Sequence, residues 1–137
     1  VQGALLGIDG GTLTAGGFPG DPIAGAALFV PPGALKATGT VVLGPATELA
    51  HHDDVRPRGP AVLVGPSSLT FLAAATVTLT YDKAAFGPGQ PGLQVLARDK
   101  KGKVSAVKPE TLTVDDGAGT VSFPTLRAGS FQVFGPK

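Results

Sequence analysis

Thr76-Val77-Thr78-Leu79-Thr80-Tyr81 is the stretch on which the reading of the fold turns. Val77, Leu79 and Tyr81 fall on one side and the three threonines on the other. That two-residue period marks a strand with one buried face and a β-branched polar outer face. Comparable short runs recur along the chain: Ala26–Val30, Thr40–Leu43, Ala61–Val64, Leu93–Arg98, Thr120–Phe123 and Phe131–Phe134, with weaker ones at Leu5–Ile8 and Thr12–Ala15. Glycine and proline between them leave little room for helices.

Turn chemistry links the strands. Lys100-Lys101-Gly102-Lys103 suits a hairpin from Leu93–Arg98 to Val104–Val107, and Asp115-Asp116-Gly117-Ala118-Gly119 suits another from Thr111–Val114 to Thr120–Phe123. Turn signals about every ten residues favour an all-β, antiparallel sandwich of about eight to ten short strands over a parallel sheet. One long irregular region is expected between Gly44 and Pro60. Residues 10–137 read as a single sandwich domain, and residues 1–9 as an apolar N-terminal segment. That segment is either a first strand in its own sheet or an arm for a neighbouring subunit's open edge.

Composition narrows the function. The 137 residues carry 11 basic and 10 acidic side chains, a formal net charge of +1, with no concentrated basic stripe; this argues against a nucleic-acid surface. Without cysteine, neither a disulfide framework nor a thiolate site can form. No apolar run reaches the roughly 20 residues that span a bilayer as a helix. Charged residues are only 15% of the chain, which suits a β-sandwich and a subunit that packs on neighbours. The Ala, Gly, Pro and Val bias fits a GC-rich bacterial coding sequence, and Val1 in place of Met is read as something removed upstream, either a signal peptide or merely an arbitrary chain boundary.

Three stretches carry a further pattern: Gly10-Gly11-Thr12-Leu13 with Leu28-Phe29-Val30-Pro31-Pro32-Gly33-Ala34-Leu35; Val64-Gly65-Pro66-Ser67-Ser68-Leu69-Thr70-Phe71 running into Ala75–Tyr81; and Thr120–Phe123 with Ser130–Val133. Together they resemble the ZU5 module, a β-sandwich of receptors and scaffolds with divergent forms in bacterial surface proteins. Pro31 and Pro32 cannot donate to a ladder and so end a strand, and Gly33 permits the sharp turn that brings Ala34 and Leu35 back over the sandwich. The resemblance implies a ZU5-like, immunoglobulin-like sandwich and a noncatalytic structural or binding module at the cell surface or outside the cell. Autoprocessing members cleave at a His-Phe-Ser step; here Ala128-Gly129 stands before Ser130, which argues against self-cleavage.

No acid, base and nucleophile converge in the sequence, so neither catalytic residues nor a cofactor are expected. His51-His52-Asp53-Asp54 is the one cluster with metal-ligand chemistry, and its bland reading is a solvated loop, since adjacent residues on an extended chain point opposite ways. Asp115 and Asp116 read as turn residues. If Val30, Val95 and Val133 face the core, Phe29, Leu96 and Phe134 face outward as a protein-contact patch, or are covered by loops. With Leu5, Leu6 and Ile8 of the N-terminal segment they form the expected contact set. The partner is another protein or a second copy, the latter building a surface filament or lattice through the arm.

Overall fold

The computed structural model describes residues 2–6, 9–15, 23, 25–35, 39–49, 54–65, 69–82, 84, 92–99, 101–115 and 117–136. Among these residues there are twelve strands: β1 (Gln2–Leu6), β2 (Gly11–Thr14), β3 (Ala27–Val30), β4 (Gly39–Pro45), β5 (Val55–Pro57), β6 (Val62–Gly65), β7 (Thr70–Thr80), β8 (Gln94–Arg98), β9 (Val104–Ala106), β10 (Thr113–Asp115), β11 (Thr120–Arg127) and β12 (Gly129–Pro136). Every pairing is antiparallel. One sheet runs β1-β4-β6-β12-β8-β9, with β5 also on β12; the other runs β10-β11-β7-β3-β2. No helix among the described residues is long and apolar enough to cross a membrane.

The two sheets share one core. Val41, Leu43, Val62, Val64, Val95 and Val133 come from the first sheet, and Leu28, Val30, Val77, Leu79 and Val121 from the second; all are fully buried. Phe123 of β11 and Phe131 of β12 span the gap, ring centroids 5.2 Å apart and tilted by 57°. The alternation read in Thr76–Tyr81 holds: Val77, Leu79 and Tyr81 are buried and the threonines between them half-exposed.

The Val30–Leu35 phrase works as a strand terminator. Ala34 N–H closes a turn on Pro31 C=O at 3.2 Å, with Gly33 at φ +81°. Ala34 and Leu35 then enter the core, and Ala34 C=O accepts from Leu72 N–H at 2.7 Å. Gly10 (φ +71°) lies against the same strand end: a Cβ there would sit 2.0 Å from Val30 O. The Gly10-Gly11 and Val30-Pro31 stretches therefore meet in space, with Gly11 opposite Val30.

Several boundaries differ from the sequence reading. Among the described residues there are twelve strands against about eight to ten expected; β5 is the unanticipated one, three residues too short to signal themselves, whereas β9 and β10 overlap the hairpin partners read at Val104–Val107 and Thr111–Val114. β7 starts at Thr70, which pairs with Arg127, although Ala73-Ala74-Ala75 have no strand signature of their own. The first strand is Gln2–Leu6 rather than Leu5–Ile8; Ile8 lies outside the described residues. Gly44 and Pro45 finish β4 and Val55–Pro57 form β5, so the region from 44 to 60 is less irregular than its composition suggests.

A cleft at the mouth of the sandwich

β11 and β12 lie in different sheets and are joined by Ala128 alone, whose N–H bonds Leu69 C=O at 2.9 Å. Just before this corner the β7–β11 ladder breaks. Thr125 pairs with Ala75 and Arg127 with Thr70, so Leu126 alone faces the four residues Phe71–Ala74. Such a bulge bends the pair and re-aims side chains. Pro124 adds to the opening; β10 ends opposite Ser122, so that flank of β11 is an edge where a missing N–H is tolerated. Leu72 and Leu126 are left 60% and 55% exposed, the two most exposed large apolar side chains described.

Beside this break lies a cleft of about 570 Å³, within the size range of ligand sites. One wall is Ala74 with Pro124–Arg127; the other is Ala97 and Arg98 of β8 with Asp99, Ser105 and Val107. Ala128, Gly129 and Phe131 also line it, and Lys108 and Thr111, from the 3-10 turn at Pro109–Thr111, contribute at the crossover between the sheets. A β-carbon at Gly129 would lie 2.7 Å from Arg98 O, so glycine is what fits where β12 starts against β8.

The charges around the cleft are unequal in availability. The Arg98 guanidinium reaches out to the Thr47 and Ser130 hydroxyls, donating from Nη2 at 3.3 Å to each. Asp99 Oδ1 accepts from Lys101 N–H at 2.9 Å and Lys103 N–H at 3.0 Å, which clamps the β8–β9 hairpin. The bond from Lys103, with that from Lys101 and the two lysine charges, outweighs desolvation and holds this carboxyl below its usual range. Lys108 and Arg127 stand exposed on the cleft.

The expected contact set is scattered by the fold. Phe29 is 47% exposed, on β3. Val30, Val95 and Val133 do face the core, but Phe134 is fully buried on the other side of its sheet. There it forms a second apolar cluster with Leu49 and Ala61, against which Ala46, Val55, Leu96 and Val104 pack. The segment after β4 covers this face, because buried Gln132 holds it: Oε1 accepts from Leu49 N–H at 3.0 Å and Nε2 donates to Gly59 C=O at 2.9 Å. Phe29, Leu96 and Phe134 thus form no common exposed patch. Leu5 and Leu6 sit in β1 at the edge of the first sheet.

Of the metal-ligand cluster, His51, His52 and Asp53 lie outside the described residues and Asp54 is exposed in a turn; no group of three ligating side chains occurs among the described residues. Asp115 is a turn residue: its carboxylate accepts from Ala118 N–H at 3.1 Å. Asp116 lies outside the described residues. Ser130 is 4% exposed and sits behind Gly129, with the Arg98 guanidinium on its hydroxyl. The cleft itself escaped the sequence reading; the cue was Pro124 inside an otherwise regular strand, followed by Leu126 out of phase. The chain matches no protein-family model, and no curated protein is significantly similar to it.

Proposed function

We propose that the chain is a noncatalytic binding module, of ZU5-like type, in a cell-surface or exported protein, and that the cleft is where it holds a protein ligand. The observation that carries this is the broken β7–β11 ladder, which leaves Leu126 exposed on a cleft of about 570 Å³ and Leu72 exposed in the unpaired part of β7. Strand pairing is given up and apolar surface exposed at one place, a cost that a binding role explains. The surface assignment rests on the Gly10–Leu13 and Leu28–Leu35 resemblance and the sparse charge. The test is panning of a displayed peptide library on the wild-type chain and on Leu126→Asp, an exposed position at which folding is retained. Peptides enriched by the wild type and lost on Leu126→Asp support the reading. Equal recovery by both, or no enrichment, overturns it.

A second reading is a self-assembling subunit. It is favoured by β1, the terminal strand of its sheet, within a stretch from Val1 to Ile8 that carries no charge to discourage pairing. Light scattering over a concentration series decides it: a mass fixed at 13.6 kDa rejects assembly.

A further inference from the structure

We infer that the ligand of this cleft is an acidic polypeptide segment in extended conformation, added as a strand along the free edge of β9. The inference rests on the cleft being a binding site and adds what enters it and how. β9 ends its sheet, pairing only with β8 among the described residues. Asp99 N–H bonds Lys103 C=O at 3.0 Å and Val107 N–H bonds Val95 C=O at 2.9 Å. In an antiparallel ladder such rungs alternate, so with Ala97 opposite Ser105 the intervening bonded rung lies there. Val104 and Ala106 fall on the other rungs, and their N–H and C=O groups point away from β8, out of the sheet edge. They form a template for one added strand.

The side chains of β9 agree with this placement. Val104 packs on the outer apolar cluster, whereas Ser105 and Val107 line the cleft. A strand laid along β9 would likewise turn alternate residues towards the cleft, where Leu126, Ala74 and Phe131 offer an apolar lining. The charges select the sign. Lys101 and Lys103 precede β9, Lys108 follows it, and Arg127 faces it across the cleft, against Asp99 and Glu110. The Asp99 carboxylate is already engaged by two N–H groups of its own hairpin. Lysines at an edge discourage indiscriminate pairing; here the same lysines leave the edge open to a strand bearing carboxylates.

The test uses the peptide acetyl-Thr-Val-Asp-Val-Glu-Val-Thr-amide, a version with lysine for both acids, and an acidic version N-methylated at alternate amides. Binding is followed by anisotropy and by backbone amide shifts of the full chain. The expected result is saturable binding of the acidic peptide, with shifts at Val104 and Ala106, at least ~10-fold tighter than the lysine version and weakened by salt. N-methylation of the amides facing β9 abolishes it. Ala106→Pro, which removes an outward N–H and no ladder bond, does the same, and Arg127→Glu weakens it. If the acidic peptide binds but tolerates both N-methylation and Ala106→Pro, strand addition is wrong while the cleft reading stands. If the library yields peptides sensitive to Leu126→Asp but neither acidic nor extended, the ligand class is wrong. Absence of binding by the acidic peptide overturns the inference outright.

Discussion

Replacing Gln132 by leucine removes a buried side chain that ties two loop segments to the outer face of the seven-stranded sheet. Gln132 is 4% exposed, accepts from buried Leu49 N–H and donates to Gly59 C=O. Leucine is close in size, so packing is largely kept and the loss is polar. Each buried backbone group left without a partner costs about 1–3 kcal/mol. Gly59 C=O is only partly buried and recovers some hydration, so the net cost is about 2–3 kcal/mol, with Leu49 N–H the larger share. For a chain of this length that is a loss of roughly 6–9 °C in Tm. Thermal unfolding by circular dichroism gives the total, and hydrogen exchange at Leu49 gives its location. Gln132→Glu sharpens the argument. A carboxylate accepts from Leu49 N–H but has no donor for Gly59 C=O, and burial beside that carbonyl raises the new carboxyl's pKa. A raised folded-state pKa contributes stability that is present at low pH and lost as pH rises through it. Gln132→Glu therefore recovers towards wild type in acid, and Gln132→Leu does not. A change under about 1 kcal/mol in Gln132→Leu, with Leu49 still protected, refutes the reasoning.

Four further outcomes are expected. Gly33→Ala, with open space around its Cβ, costs about 1 kcal/mol for the left-handed φ alone. Gly10→Ala also meets Val30 O and costs on the order of 3 kcal/mol, so urea midpoints should separate the two. Phe123→Ala opens the aromatic bridge between the sheets and costs about 3–5 kcal/mol by the same measurement. The Asp99 clamp has a depressed carboxyl pKa, so its stabilisation is present above the unfolded value and lost as pH falls through the lowered one. Exchange at the Lys101 and Lys103 amides should show this loss in acid, while Asp99→Ala exchanges fast throughout. Finally, intact mass should stay at 13.6 kDa on prolonged incubation; fragments split before Ser130 would overturn the noncatalytic reading.

The all-β class and the principal strands were legible in the amino-acid sequence because they rest on local rules. Alternation in Thr76–Tyr81, turn residues at Lys100–Lys103 and Asp115–Gly119, and the Pro31-Pro32-Gly33 stop each act within a few residues. Period alone left two registers open for Val30, Val95 and Val133, and the fold adopts the inward one. What lies on the far side of a strand did not. Phe134 looks outward in sequence, yet it is buried because a segment some 85 positions earlier is pinned over it by Gln132, a contact no local pattern encodes. The cleft is equally non-local. It depends on how four residues of β7 are accommodated against one of β11, and on which strands end each sheet. Sequence by itself determined the strands and turns, because backbone sterics and side-chain alternation are short-range. Only the tertiary structure decided which apolar residues are covered and which edge stays open, because those depend on pairing between distant segments.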